Sequence, residues 1–417
     1  MNKSFIIDKI FTNSKIIIEK EFKRVYNIFE SSKKLNISRG ECMIILNLKL
    51  NNIFCFNDFE INFSYPKKIH NNLLGNEFHD EYNSFRFKKL NIFVGANASG
   101  KTSLIRAIWC VLYFLATSEG RTLSKIVDNN YDESLIEIDF LNELDGLSYL
   151  HRLTIKTINK ENFEIKIADK KIKLSLGKSY ENLISKFDSM PLEYTDYVEF
   201  LSNNKFNISF ITELPSTEEP FNKIRFADGL NDNEKDEYLT ILNNVLKTLD
   251  PSIKNVNKSL DSDDAFVIEH ISNKKIIIQK GMDLSSIPIL SSGTKYGFNI
   301  TNLLYSIKYH KFGIYLIDEQ FPYVNSDIEA SMLATMASLL GPNEQIFFTT
   351  HNTNILSLSF PIHSFYFLNK ENNNVTVSCA SKFENRNNIS VKNMYDNDVF
   401  RTAPDVTKIY DIGVIDE

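Results

Sequence analysis

Gly95-Ala96-Asn97-Ala98-Ser99-Gly100-Lys101-Thr102 follows directly on the apolar run Leu90-Asn91-Ile92-Phe93-Val94 and leads into a segment of helical period, Ser103 to Leu112. A strand must therefore pass into a helix through one short loop, the setting of a phosphate-binding loop in an α/β protein. Small residues let successive backbone N–H groups face the α- and β-phosphates, a Lys amine reaches the β- and γ-phosphates, and a Thr hydroxyl ligates Mg²⁺. The following helix directs its partial positive charge at the same anion. Gly95, Asn97, Ser99, Gly100, Lys101, Thr102 and Ser103 are thus the candidate nucleotide-binding residues, and Thr102 is a candidate Mg²⁺ ligand.

A second half of such a site lies downstream. Phe312-Gly313-Ile314-Tyr315-Leu316-Ile317-Asp318-Glu319 is an apolar strand pattern ending in two acids. In that pattern the first carboxylate supports Mg²⁺ and the second polarises the attacking water. The next buried-strand pattern, Gln345 to Thr350, ends at His351, which is placed to reach a γ-phosphate. Leu290-Ser291-Ser292-Gly293-Thr294-Lys295 is a polar turn entering the helical pattern Tyr296 to Tyr309, where hydroxyl and backbone donors can meet phosphate.

The 417 residues exceed the usual single-domain length, which predicts one large core with an inserted subdomain or two apposed lobes. Residues 1–42 are read as a helical extension, with Ser14 capping a helix that runs to Phe29. Residues 43–179 are the first half of the core, in which Met43 to Leu50 and Phe54 to Phe63 form a hairpin. The alternating segments between 134 and 176 form an antiparallel lobe. Residues 180–264 are read as a mainly helical insertion, clearest from Asp232 to Leu249 and ended by Asp250-Pro251. Residues 265–417 complete the core. No heptad pattern is sustained, which excludes a long coiled coil.

A net charge of −6 argues against broad coating of DNA. The densest basic clusters, Lys67-Lys68, Arg86-Phe87-Lys88-Lys89 and Lys170-Lys171-Ile172-Lys173, are read as solvated edges. With no apolar run of about 18 residues and no signal-peptide pattern at Met1 to Phe5, the chain is expected in the cytoplasm, away from membranes. Cys42, Cys55, Cys110 and Cys379 lack metal-ligand or redox spacing and are expected to be reduced thiols.

With these four pieces in this order, the chain resembles ABC-type ATPases of the soluble OLD-like and SMC-like branch, from about Met43 onward. Gly95 to Thr102 matches the branch's Walker A loop, Leu290 to Lys295 its signature loop, Ile314 to Glu319 its Walker B strand and His351 its switch histidine. Leu249 to Ile253 and His351 to Leu356 are also similar to stretches of that branch. The resemblance implies a P-loop fold with a central mixed or parallel sheet, ATP and Mg²⁺ as ligands, and Asp318 as a metal ligand. It implies Glu319 as catalytic base and His351 as γ-phosphate sensor.

It further implies a homodimer or larger homo-oligomer in which Ser292 and Gly293 of one copy contact the ATP held by Lys101 of another. Two departures stand out. No Gln occurs between the Walker A loop and Gln279, which predicts slow turnover, and the stretch Gln320 to Asp327, where a D-loop is expected, is unusually apolar. Phe54 or Phe56 is expected to stack on adenine. The acids Asp411, Asp416 and Glu417 are read as a solvated tail.

The same resemblance suggests the sensor ATPase of an anti-phage system resembling PARIS or Septu, controlling a separately encoded effector nuclease and triggered by DNA or a phage protein. The alternative is a stand-alone repair or recombination ATPase of the RecF or SMC kind. A transporter's ATPase subunit is a distant third.

Overall fold

The computed structural model describes residues 43–65, 74–75, 77–144, 146–158, 163–213, 230–259, 262, 265–283, 287–319, 321, 324–371, 374–383 and 390–402. The expected N-terminal helix, Lys67-Lys68, Gln320 and the C-terminal acids lie outside these residues.

The chain begins with strands β1 (Ile44–Asn51), β2 (Phe59–Asn62) and β3 (Leu90–Val94), followed by helices α1 (Lys101–Thr117) and α2 (Arg121–Ser124). Three long strands come next, β4 (Glu133–Leu144), β5 (Leu147–Ile158) and β6 (Glu164–Lys173). Then come α3 (Tyr180–Asp188), β7 (Thr195–Asp196), α4 (Tyr197–Asn203), β8 (Phe210–Glu213) and α5 (Asp232–Leu249). Strands β9 (Ile253–Lys258), β10 (Ala265–His270) and β11 (Lys275–Gln279) precede α6 (Ser292–Lys308). The last described stretch holds β12 (Ile314–Asp318), α7 (Ser326–Leu339), β13 (Gln345–Thr350), β14 (Phe365–Glu371), β15 (Asn374–Cys379) and α8 (Val391–Asp396).

The molecule is an α/β protein, and its described residues form three sheets. The central sheet runs β15-β14-β3-β13-β12-β8, parallel except for β15. Strands β3, β12 and β13 are buried along their whole length, as expected for continuous apolar runs covered on both faces. An antiparallel sheet runs β2-β1-β4-β5-β6-β7, and a small antiparallel sheet runs β11-β10-β9.

Helix α1 lies between the central and antiparallel sheets, sharing one apolar core with Phe93, Leu316 and Phe347 on one side and Ile136, Ile138 and Ile155 on the other. It is buried on most of its circumference, with Arg106 and Ala116 exposed. Helices α6 and α7 cover the opposite face of the central sheet. Tyr238, Leu242 and Leu246 of α5 then pack with α6 against the small sheet. Asn231 caps α5 by accepting from Glu234 N–H, while the Glu234 carboxylate accepts from Asn231 N–H.

Residues 180–264 do supply α3, α4 and α5, yet the same stretch also contributes an edge strand of the central sheet and one strand of the small sheet. β8 pairs in parallel with β12, and β9 pairs with β10 across residue 264. Hydrogen-bond partners on distant strands draw these short segments out of a helical neighbourhood. The longest described helix, α5, has 18 residues. No helix among the described residues is long and apolar enough to cross a membrane.

The basic pair Lys88-Lys89 is a correction to the expected solvated edge. Both are buried, with Lys88 donating to Asn62 O and the Tyr366 hydroxyl, and Lys89 to Leu74 O and Leu340 O. Long stems let both amines reach carbonyls on neighbouring segments. Gln345, at the start of β13, joins the two large sheets: its Oε1 accepts from Ile45 N–H at 2.7 Å, and its Nε2 donates to Ile45 O and Lys88 O, both at 3.0 Å.

Candidate functional site

Strands β3 and β12 flank β13, in register from Leu90 with Ile346 to Val94 with Thr350 on one side and from Ile314 with Gln345 to Asp318 with Thr349 on the other. Parallel pairing therefore delivers the ends of all three strands to one edge. There the phosphate loop, the Asp318-Glu319 pair and His351 meet, at the C-terminal ends of the strands where open α/β sheets place their ligands.

The loop is tightly wound. Ser99 N–H donates to Ala96 O at 3.3 Å. Ala98 (φ 60°) and Gly100 (φ 101°) both adopt left-handed backbone, which turns neighbouring N–H groups to one side as an anion-binding concavity requires. Gly95 has no room for a side chain: a Cβ there would stand 2.6 Å from Leu368 O and 2.6 Å from Ser99 Oγ. Asn97 is exposed and Ser103 half-buried. Ser99 Oγ is buried with no hydrogen-bond partner among the described residues, a donor available to an incoming oxygen.

Lys101, only 3% exposed, donates to Gly95 O at 3.0 Å and Ala96 O at 3.1 Å, and its Nζ lies 3.5 Å from Glu319 Oε1. Burial lowers its pKa, and the Glu319 and Asp318 carboxylates oppose that shift without cancelling it. Glu319 responds in the opposite sense. The hydrogen bond from His351 and the charges around it hold its carboxyl below the usual range against desolvation. At 3.5 Å the Glu319 carboxylate does not offset the desolvation of Lys101, so this buried ammonium still favours further negative charge nearby.

Asp318 is fully buried beneath the loop. Its Oδ1 accepts from the Thr102 hydroxyl at 3.2 Å and from the Thr349 hydroxyl. Burial raises its pKa, and those two hydroxyls pull the other way. Thr102 Oγ1 and the Asp318 carboxylate are the hard oxygen donors that Mg²⁺ takes, and they stand side by side at the loop. Glu319 has left-handed backbone (φ 45°), held by N–H bonds to Thr349 O at 3.3 Å and Thr349 Oγ1 at 3.1 Å. A non-glycine residue in that region costs of order 1–3 kcal/mol, and from this backbone Glu319 Oε1 stands 2.8 Å from His351 Nε2. His351 itself is 41% exposed and open to a ligand.

The structure thus brings together Lys101, Thr102, Asp318, Glu319 and His351. Ser292 and Gly293 stand elsewhere, as the first two residues of α6, behind the cap Ser291, whose side chain accepts from Thr294 N–H at 3.1 Å. Thr294 Oγ1 in turn meets Asp250 Oδ2 at 3.3 Å, and Asp250 Oδ1 is bonded by Ser252. The Leu249-to-Ile253 turn therefore props the turn containing Ser292. Ser292 is exposed, with Ile289, 49% exposed, shortly before it.

The expectation for Phe56 is overturned. It is fully buried, its ring 4.6 Å from that of Phe59, and it packs in the core shared by α1 and the antiparallel sheet. Phe54, half-buried with φ 50°, is the one of the two that retains an accessible edge. Sequence reasoning missed Thr349, whose hydroxyl joins Asp318 to the Glu319 backbone, and Glu329, a buried acid of α7 bonded to Thr350. Thr349 lies inside a pattern that reads as an ordinary buried strand, and nothing in the sequence marks Glu329 as buried.

No protein-family model and no curated protein matches the chain. Among solved structures it is similar to an SMC head bound to the C-terminal winged-helix domain of ScpA, with 13% identity and a TM-score of 0.46 over 80% of this chain and 96% of that one. An SMC head domain from Thermotoga maritima gives 13% identity and 0.38 over 80% and 98%. The recombination mediator RecF, solved as RecF-ATPrS, gives 11% identity and 0.39 over 82% and 100%.

Proposed function

We propose that this chain binds and hydrolyses ATP and uses it as a conformational switch. The observation that carries this reading is the convergence of Lys101, Thr102, Asp318, Glu319 and His351 on one wound loop at the ends of β3, β12 and β13. Backbone N–H groups of Gly95 to Thr102 cradle the phosphates, and Lys101 exchanges its loop carbonyls for phosphate oxygens. Thr102 and Asp318 would hold Mg²⁺, which screens phosphate charge when bound. Glu319 accepts the proton of the attacking water, and His351, already hydrogen-bonded to Glu319, senses the γ-phosphate.

ATP titration by calorimetry, paired with phosphate release, tests this directly. Binding lost in Lys101→Ala, and hydrolysis lost while binding persists in Glu319→Gln, support it. A wild-type protein that binds no nucleotide removes it.

In the finer reading two copies close on ATP, with Ser292 and Gly293 of one facing the triphosphate of the other. The exposed Ser292 turn and the neighbouring Ile289 support that arrangement. A switch can transmit only the difference in contacts between its open and closed forms. The resemblance of the motifs to defence ATPases supports a separately encoded effector nuclease as the output, with infection as the trigger. Native mass spectrometry of the tagged chain, purified from its own operon with ATP and Mg²⁺, checks both points. A co-purifying nuclease-sized protein supports the sensor reading, whereas a bare dimer retaining duplex DNA moves the function to repair.

A further inference from the structure

Glu329 is a buried carboxylate on α7, only 7% exposed, in a position where an apolar residue would pack without the cost of desolvating a charge. Its Oε1 accepts from the Thr350 hydroxyl at 2.6 Å. That hydroxyl in turn accepts from Asn352 N–H at 2.9 Å, so one side-chain oxygen ties together the residues on either side of His351. Asn352 Nδ2 donates to Ser326 O at 2.7 Å, and Asn354 Nδ2 reaches Asp327 Oδ1 at 3.1 Å, both in the first turn of α7. On the strand side, Thr349 is fixed by Asp318 and by Glu319 N–H. The backbone that carries His351 is therefore clamped between the acidic pair and the start of α7, and Glu329 is the buried anchor of the α7 side.

We propose that Glu329 is a positioning residue: through Thr350 it fixes His351 against Glu319 and couples the state of the site to the exposed Asn325-Ser326-Asp327 turn that opens α7. This rests on the ATPase reading for its kinetic consequence. The side chain of Glu329 touches neither nucleotide nor water in that reading; it acts only by holding the Thr350-His351-Asn352 segment.

The test compares Glu329→Ala, Glu329→Gln, Thr350→Val and the Glu329→Ala/Thr350→Val double variant with wild type. Turnover is expected to fall on the order of tenfold to 100-fold in Glu329→Ala and Thr350→Val, the scale of a small misplacement of a catalytic group. ATP affinity should stay within about twofold, because uniform binding is untouched. The double variant should be no worse than the worse single one, since both remove the same bond. Glu329→Gln keeps an oxygen that accepts from Thr350 and should recover most of the turnover.

A second measurement does not depend on hydrolysis. The rate at which diethylpyrocarbonate modifies His351, followed by mass spectrometry, should rise in Glu329→Ala and return in Glu329→Gln. Wild-type turnover together with a wild-type modification rate in Glu329→Ala overturns the inference. So does a loss of turnover that tracks a lowered melting temperature and is not recovered by Gln. Should the wild type bind no ATP while the His351 modification rates behave as expected, the ATPase reading fails and the positioning role stands.

Discussion

Two of the charged clusters among the described residues, one in the antiparallel sheet and one at the strand ends, are built on opposite principles. In the antiparallel sheet, Arg152 grips Asp139 with two parallel bonds, Nε to Oδ1 at 2.8 Å and Nη2 to Oδ2 at 2.7 Å. Tyr180 adds its hydroxyl to Asp139 Oδ2 at 2.6 Å, and the guanidinium lies over the Phe187 ring. At the strand ends, Lys101 meets its carboxylate at 3.5 Å, leans on two backbone carbonyls, and sits in a loop with left-handed residues and a buried hydroxyl that has no partner among the described residues. The first cluster meets its own polar demand with bidentate geometry. The second leaves demand for an anion and carries backbone strain, the signature of a site that completes itself with a ligand. The difference teaches where to expect stability and where to expect chemistry.

Arg152→Leu should separate the two most sharply. It leaves Asp139 buried without its cation, which costs about 3–5 kcal/mol and should appear as a large drop in chemical-denaturation stability. ATP affinity, measured on the fraction still folded, should not change. A comparable loss of ATP affinity would show that the two clusters are one. Lys101→Ala is the mirror image: ATP binding falls by about 100-fold or more, and the melting temperature stays or rises because a desolvated ammonium has been removed. A marked fall in melting temperature would break the comparison by giving Lys101 a structural task.

The same contrast explains what could be read from the sequence. Lys101, Thr102, Asp318, Glu319 and His351 were readable because each sits in a local pattern, the last three at strand ends and the first two where a helix follows a strand through a short loop, and parallel pairing does the rest. The helix Asp232–Leu249 was readable from its apolar face and from Asp250-Pro251 at its end, and the structure adds a capping box at its start. Asp139, Arg152 and Tyr180 were not. Their meeting depends on β4 and β5 pairing Asp139 with Arg152 and on α3 folding back over the sheet. Lys88 and Lys89 looked like surface, and Glu329 drew no notice, because burial is a property of the whole packing. β8 is four residues long, and only its bonds to β12 make it part of the central sheet.

Gly95→Ala should have a smaller effect than either charge change, and it sharpens the comparison by testing the loop without touching a charge. Its new methyl meets a backbone oxygen at 2.6 Å, so the loop rather than a flexible side chain must yield. Overpacking of this kind costs about 1–3 kcal/mol. Because the loop is where that shift falls, ATP titration should register a loss of affinity of about tenfold or more, beside a fall in denaturation stability within that range. Unchanged ATP affinity would mean that the loop has slack that the two left-handed residues do not suggest.

The smallest effect is one of pH and concerns the self-satisfied cluster. Burial raises Asp139 above its ordinary value of 3.8 even with Arg152 and Tyr180 pulling it down, so removing Arg152 must raise it further. A carboxyl whose folded pKa is raised binds its proton more tightly in the native state. Stability therefore falls as pH climbs from 3.8 toward the folded pKa, and the full penalty is present above it. The cost of Arg152→Leu should accordingly be greatest at neutral pH and shrink by about 1 kcal/mol for each pH unit of acidification within that window. Denaturation of both proteins at several pH values between neutrality and the acid limb measures that slope. A penalty independent of pH would mean that Asp139 finds another cation or water when Arg152 is gone, and that the cluster owes its strength to the packing of Arg152 against Phe187 more than to charge.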